Sequence, residues 1–234
     1  MKASIRIPFF EIGVKNYIYG DKVLELAKAA EEASARYDID VLFIAPYTEI
    51  RRVAENCRHL FVLAPYMDTL RPGRGLADIL PEAIKAAGAK GVVVNHCERP
   101  MSLSAIKQTI DRANELDLLS FACADSIAEA RAIAQLHPDI INPEPTELIG
   151  SGKPSSLDFV KKTIIAIKEV SSLIIVEQAA GISNSDQVYD FIFAGAEGVG
   201  MASGIFKAPD QLKMAEAAVA AVRRAFDDRK KAGL

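Results

Sequence analysis

Eight short apolar runs, separated by longer amphipathic segments, constrain the fold of this chain more than any other feature. The runs are rich in Val and Ile, and several lack polar alternation, which is typical of parallel strands buried on both faces. Strands are predicted at residues 4–12, 41–45, 60–64, 91–95, 118–123, 140–142, 173–177 and 198–201.

The segments between these runs have helical periodicity. Helices are predicted at residues 21–37, 77–87, 102–116, 126–135, 156–170, 185–194 and 209–231, whereas 48–56 is short and weakly helical. Regular alternation of this kind predicts an α/β fold with a parallel sheet. An open doubly wound sheet is the alternative, but the segment after the first strand, GVKNYIYG, lacks the GxGxxG spacing. We therefore predict a single (β/α)8 barrel domain over residues 1–234.

The composition excludes several classes of function. With 28 basic and 31 acidic residues the net charge is −3, so no broad basic surface for nucleic acid or an anionic membrane is expected. No apolar run approaches the ~20 residues of a membrane span, and the N-terminal pattern is not that of a secretory signal. The three cysteines, Cys57, Cys97 and Cys123, have no CxxC spacing. We expect no disulfide framework, no zinc site and a cytoplasmic location.

In such a barrel, chemistry collects at the carboxyl ends of the strands. Lys15 follows the first strand, His96 ends the fourth, and Glu144 follows the sixth, held between Pro143 and Pro145. A lysine at this position is often a surface residue, and a lone histidine beside an apolar strand is often only packed. A glutamate between two prolines is unusual for a surface charge, because the prolines restrict the neighbouring backbone. These three residues are the candidates for catalysis.

Glycine-containing turns follow the last three strands, in ELIGSGK, EQAAGISNSDQ and GMASGIFKA. Backbone N–H groups in such turns can hold a phosphate, and the last two loops of these barrels often do so. A small sugar phosphate held there would lie near a carboxylate that can remove a proton next to a carbonyl. A neutral imidazole and an ammonium group could stabilise the resulting negative oxygen. The combination predicts aldose–ketose isomerisation, with no metal and no cofactor.

The same segments resemble the triosephosphate isomerase family, particularly its shorter archaeal type, along nearly the whole chain. GVKNY, NHCERP and PEPTELIGSGK carry the resemblance, together with AAGIS and VGMASGIFKAPD. It implies that Lys15 binds substrate, His96 is the electrophile with Glu98 beside it, Glu144 is the base, and Pro145–Lys153 is a closing lid. The substrate- and phosphate-binding positions that it implies are Gly13, Ile149, Gly150, Gly181, Ala202, Ser203 and Gly204.

The resemblance further implies an isomerase of glycolysis and gluconeogenesis that interconverts glyceraldehyde 3-phosphate and dihydroxyacetone phosphate through an enediolate. It also implies a homodimer or homotetramer. Two residues depart from the family pattern: Gly13 stands where the family has asparagine, and Cys97 where it has serine. Glu11 is also expected near the barrel interior. These departures leave two alternatives open, an isomerase of a four-carbon sugar phosphate (erythrulose phosphate type) and a non-catalytic phosphate-binding barrel. A lyase or epimerase would need a Schiff-base lysine within a strand or a bound metal, which the pattern does not indicate.

Overall fold

A computed structural model describes residues 2–234 and contains a closed barrel of eight parallel strands that pair in chain order. The strand β1 pairs with β2 on one side and with β8 on the other, with Glu11 opposite Leu42 and Gly200. The strands are β1 (Phe9–Gly13), β2 (Asp40–Ile44), β3 (Phe61–Ala64), β4 (Gly91–Val94), β5 (Leu119–Ala124), β6 (Ile140–Pro143), β7 (Ile175–Gln178) and β8 (Gly198–Met201).

Helices surround the barrel and return the chain from one strand to the next. They are α1 (Asp21–Tyr37), α2 (Ile50–Asn56), α3 (Pro81–Ala86), α4 (Leu103–Glu115), α5 (Ile127–Ala134), α6 (Leu157–Lys168), α7 (Ser185–Ala194), α8 (Ser203–Phe206) and α9 (Gln211–Lys231). Two single 3₁₀ turns, Tyr47–Glu49 and Thr146–Leu148, lie in the loops after β2 and β6. The predicted (β/α)8 architecture is confirmed.

Most of the core lies between the barrel and the helices. In α1, the residues Val23, Leu26, Ala27 and Ala30 recur at helical spacing and are fully buried. Helix α9 buries an alanine- and valine-rich face against α1 and α7, and the small side chains allow a close approach. Fully burying a Val or Leu side chain contributes about 1.5–3 kcal/mol, so this layer supplies most of the driving force for folding.

A second, smaller cluster fills the inside of the barrel. It contains the inward-facing side chains Phe9, Leu42, Leu63, Val93, Phe121, Cys123 and Ile140. Two glycines of β8 make room for larger side chains of β1. A side chain at Gly198 would collide with the ring of Phe9, and one at Gly200 would collide with the carboxyl group of Glu11. The barrel interior is therefore apolar at Phe9 and polar two residues further along β1, at Glu11.

Two predicted elements begin too early. The strand predicted at 4–12 starts at Phe9, because the preceding segment is held by side chains: the Arg6 backbone N–H and guanidinium both donate to the Asp40 carboxylate. The helix predicted at 77–87 starts at Pro81, because Ala77 has a positive φ of 74° and the Ile79 N–H donates to the Asp68 carboxylate. The remaining predicted boundaries agree within a few residues.

Within residues 2–234, no helix is both long enough and apolar enough to cross a membrane.

Candidate active site

A pocket of about 330 Å³ opens at the carboxyl ends of the strands. Ten of the eleven predicted site residues line it, and they come from the last residue of β1 and from the loops after β1, β4, β6, β7 and β8. These are Gly13, Lys15, His96, Glu98, Glu144, Ile149, Gly150, Gly181, Ala202 and Ser203. Gly204 is buried behind this wall, where an added side chain would lie 2.7 Å from the Ile182 carbonyl oxygen.

Lys15 follows β1 in a left-handed backbone conformation, with φ of 48°. A non-glycine residue in this region is strained by about 1–2 kcal/mol, which is typical of residues at functional sites. The Lys15 ammonium donates to Glu98 Oε1 at 3.2 Å. Burial lowers the pKa of Lys15, but the negative charges of Glu144 and Glu98 outweigh burial and raise it. Lys15 is therefore a fixed positive charge at the pocket wall.

His96 lies two residues after the end of β4, with its imidazole largely buried. The backbone N–H of Glu98 donates to Nδ1 at 3.1 Å, so Nδ1 carries no proton and the hydrogen of the neutral ring lies on Nε2. Burial is the largest cause that lowers the pKa of His96, and the positive charge of Lys15 is the second; together they bring it to about 4. The ring is neutral near pH 7, and Nε2 acts as a hydrogen-bond donor that faces Glu144 at 3.5 Å.

Glu144 follows β6, and its backbone N–H donates to the Ala124 carbonyl at the end of β5 at 2.7 Å. Its side chain is only 11% exposed. Burial raises the pKa of Glu144 to about 7, and the positive charge of Lys15 opposes that rise. A carboxylate with a raised pKa is a stronger base, and near neutral pH a large share of it is still ionised. The arrangement supplies a proton acceptor 3.5 Å from a neutral proton donor.

The segment after Glu144 covers one side of the pocket and rests on the turn after β7. The Thr146 N–H donates to Asp125 Oδ1 at 2.7 Å, and the Lys207 ammonium donates to the Gly150 carbonyl at 3.0 Å. Gly181 has a φ of 73°, and a side chain there would collide with the carbonyl oxygen of Lys153. Only glycine allows this segment to lie so close to the turn after β7.

Comparisons with known proteins agree with this geometry. The sequence model of the triosephosphate isomerase family matches residues 9–218. The chain belongs to the triosephosphate isomerase family.

Relatives named triosephosphate isomerase include those of Methanothermus fervidus, Sulfurisphaera tokodaii and Methanocaldococcus jannaschii. The first is 36% identical over 214 residues, which are 89% of this chain and 96% of the relative. The second is 35% identical over 228 residues, which are 95% of this chain and 99% of the relative. The third is 38% identical over 196 residues, which are 82% of this chain and 89% of the relative. The predicted family and the predicted isomerase class are confirmed. None of these matches favours the four-carbon or the non-catalytic alternative.

Asn95 is a structural part of the site that the sequence reasoning missed. It has a positive φ of 60°, its amide nitrogen donates to the Cys123 carbonyl and to Glu129 Oε1, each at 3.1 Å, and its amide oxygen accepts from the Met101 N–H at 2.9 Å. These bonds tie the loop that carries His96 and Glu98 to the end of β5. The sequence feature that pointed to Asn95 is its position directly after a run of valines, at the end of a predicted strand.

The two departures from the family pattern both lie at this pocket. Gly13 lines it without a side chain, and the carboxyl group of Glu11 lies beside it. The Cys97 sulfur is 3.8 Å from His96 Nδ1, and burial raises the pKa of the thiol. Cys97 therefore carries no negative charge near pH 7 and leaves the hydrogen bond from the Glu98 N–H to Nδ1 in place.

Proposed function

We propose that this chain interconverts glyceraldehyde 3-phosphate and dihydroxyacetone phosphate, as its family membership and the residues of the pocket support. The observation that carries the proposal is the pair formed by Glu144 and His96, an ionisable carboxylate 3.5 Å from the Nε2 of a neutral imidazole. Around this pair lie an ammonium group from Lys15 and two backbone turns that carry no negative side chain, at Gly181 and at Ala202–Ser203. This set fits a small phosphorylated hydroxycarbonyl compound.

In the proposed reaction, Glu144 removes the proton from the carbon next to the carbonyl. That C–H bond breaks, its electron pair forms a carbon–carbon double bond, and the carbonyl electrons move onto oxygen. The hydrogen bond from His96 Nε2 and the positive charge of Lys15 stabilise the resulting enediolate. Glu144 then returns the proton to the neighbouring carbon. His96 Nε2 gives its proton to the oxygen that has become negative and takes the hydroxyl proton from the other oxygen, which becomes the new carbonyl. The two carbons exchange oxidation levels within one molecule, so the reaction balances without an external oxidant.

The phosphoryl group is proposed to bind at the turns after β7 and β8. Ser203 starts α8, and the first N–H groups of a helix have no partner within the helix. Gly181 brings the lid segment onto the turn after β7, so that Ile149 and Gly150 line the same pocket. In this arrangement the lid would exclude water once substrate is bound, which strengthens every electrostatic interaction inside.

A coupled spectrophotometric assay of purified protein with each triose phosphate tests the proposal. Glu144→Gln keeps the size and hydrogen bonding of the side chain but removes the base. We expect kcat to fall by several orders of magnitude, about 10³-fold or more, with a modest change in KM. Turnover of Glu144→Gln within tenfold of the parent would contradict the assignment of the base.

We also propose that the protein is a homo-oligomer, a homodimer or homotetramer, and that it is cytoplasmic. The assembly implied by the resemblance to the family supports the first statement. Three unpaired thiols at Cys57, Cys97 and Cys123 support a reducing compartment. A monomeric mass in light scattering at working concentration would contradict the oligomer.

A further inference from the structure

Two carboxyl groups in the barrel interior have no role in the proposed reaction. Glu11 on β1 is 5% exposed and Glu177 on β7 is fully buried. Among the described residues 2–234, no group donates to Glu11 Oε1 or to either oxygen of Glu177. Gly200 lies between the two: a side chain there would collide with Glu11 Oε2 and lie 2.6 Å from Glu177 Oε1. The absence of a side chain on β8 thus leaves space for both carboxyl groups.

Glu11 differs from Glu177 because it also lines the active-site pocket. A side chain at Gly13 would lie 3.0 Å from Glu11 Oε1, so the bare backbone of Gly13 leaves room for the Glu11 carboxyl group in the pocket wall. Oε1 itself is enclosed, so Oε2 is the oxygen of this group that is left to contact a ligand. Asn142 lines the same pocket, and its Oδ1 has no partner among residues 2–234. We call Glu11 and Asn142 the pocket floor. Both residues lie in the pocket wall, and each has one enclosed oxygen without a hydrogen-bond partner among residues 2–234.

The surroundings keep Glu11 protonated. Burial, followed by the negative charge of Glu144, raises the pKa of Glu11 to about 8, and the positive charge of Lys15 only partly opposes the rise. The Lys15 ammonium is hydrogen bonded to Glu98 instead. Behind Glu11, burial raises the pKa of Glu177 well above its usual value, and burial does the same for the Cys123 thiol. Near pH 7, Glu11 therefore has an O–H donor to offer.

We propose that Glu11 is a further substrate-contacting residue, whose carboxylic acid donates a hydrogen bond to an oxygen at the reacting end of the sugar phosphate. The inference rests on the proposed function, because the reacting carbons must lie between His96 and Glu144 for the substrate oxygens to reach the pocket floor. A hydrogen bond from a neutral acid strengthens as negative charge develops on the acceptor oxygen, so it favours the enediolate over the bound substrate.

Ionisation of Glu11 would remove the donor and place a negative charge beneath the enediolate. The parent should therefore lose kcat/KM as the pH rises through about 8. The ionisable groups around Glu11 are Glu144, Lys15, Glu177 and the Cys123 thiol. Among them, Glu144 is already ionised above pH 7, and Glu177 does not line the pocket. The pKa values of Lys15 and of the Cys123 thiol are both raised above their ordinary values, so neither group titrates near pH 8. The alkaline loss is thus assigned to Glu11.

The test measures kcat and KM with glyceraldehyde 3-phosphate from pH 6 to pH 9.5, alongside thermal unfolding, for the parent and three variants. Glu11→Gln keeps a donor that does not ionise, so it should retain kcat/KM within about threefold at pH 7 and lose the alkaline fall. Glu11→Val removes the donor and should lower kcat/KM about ten- to a hundredfold. Glu177→Gln is the matched control, because it makes the same change at a buried carboxyl group that does not line the pocket. This variant should keep the pH profile of the parent.

An alkaline fall that persists unchanged in Glu11→Gln overturns the inference, and so do parent values of kcat and KM in Glu11→Val. If Glu11→Val does not fold, Glu11→Gln alone decides. If the parent does not turn over either triose phosphate, the proposed function fails, and binding of 2-phosphoglycolate measured by calorimetry at pH 7 and pH 9 tests the contact separately. Binding that weakens at pH 9 in the parent but not in Glu11→Gln supports it, and equal dissociation constants in the parent and both Glu11 variants overturn it.

Discussion

The contact between the lid segment and the turn after β7 depends on Gly181. A side chain at this position would collide with the Lys153 carbonyl oxygen, lie 2.6 Å from the Lys153 carbonyl carbon and lie 3.0 Å from the Leu148 carbonyl oxygen. All three obstacles are backbone atoms of the lid, so no rotamer change relieves them. Gly181→Ala must therefore displace the lid or the turn.

The size of the effect follows from these distances. Non-bonded carbon atoms pack at about 3.5–4.0 Å, and the Lys153 carbonyl oxygen is the nearest obstacle, so the lid must move by about 1–1.5 Å to admit the new methyl group. A displacement of about 1 Å at a reacting site can lower the rate about a hundredfold. The backbone φ of 73° adds a strain of about 1–2 kcal/mol for any residue with a side chain. We expect kcat/KM to fall about a hundredfold and the free energy of unfolding to fall by about 1–2 kcal/mol.

The assay pairs steady-state kinetics with urea unfolding, and the lid itself supplies the matched control. Gly152 has a φ of 74°, almost that of Gly181, but nothing lies within 4 Å of a side chain placed there. Gly152→Ala therefore introduces the strain without the collision and should change kcat/KM by less than about tenfold. Equal losses of kcat/KM in the two variants, or a Gly181→Ala enzyme within threefold of the parent, would refute the reasoning.

Three further predictions concern charge and packing in the pocket. Because Glu144 must be ionised to accept a proton and its pKa is raised to about 7, kcat/KM should rise with pH through that value, and a flat profile from pH 5.5 to 8 would contradict it. His96, with a pKa lowered to about 4, should be neutral at pH 7 in a complex with 2-phosphoglycolate, and ¹⁵N NMR that finds both ring nitrogens protonated would exclude its role. Folding raises the pKa of Glu11 from 4.5 to about 8, so its stabilising contribution is complete below pH 4.5 and is lost progressively as the pH rises to about 8. Glu11→Gln should remove that slope from the unfolding free energy measured in urea between pH 6 and pH 8.

The sequence predicted the fold well because its signal was repeated eight times. Helices α1 and α7 match their predicted bounds, since each has regular apolar spacing from its first turn to its last. The predictions failed where side chains replace backbone pairing, as at Arg6, whose guanidinium and N–H bind Asp40 ahead of β1. Helix α8 was missed because four residues are too short for any periodicity to be visible.

The sequence could predict which loops form the candidate site, because the carboxyl ends of all strands of a parallel barrel lie on one side. The roles of Lys15, His96 and Glu144 remain predictions, but their place around one pocket is observed. The sequence could not reveal the tautomer of His96, which depends on a hydrogen bond from the Glu98 backbone. The position of Asn95 at a strand end was visible in the sequence, but its hydrogen-bond partners were not, because they lie 28 and 34 residues away.

The electrostatics of the pocket follow from one physical cause that acts with opposite signs on its two central groups. Burial disfavours the charged form of each, so it raises the pKa of Glu144 and lowers that of His96. A phosphorylated ligand brings negative charge, which raises the pKa of both groups. His96, which starts at about 4, can absorb such a rise and stay neutral, whereas Glu144, which starts at about 7, would be driven toward its protonated form. The positive charge of Lys15 lowers the pKa of both, so it preserves the base at the same time as it keeps the donor neutral. Under the proposed roles, Lys15 therefore favours the ionised form of Glu144 and the neutral form of His96, in addition to attracting the charge of the substrate.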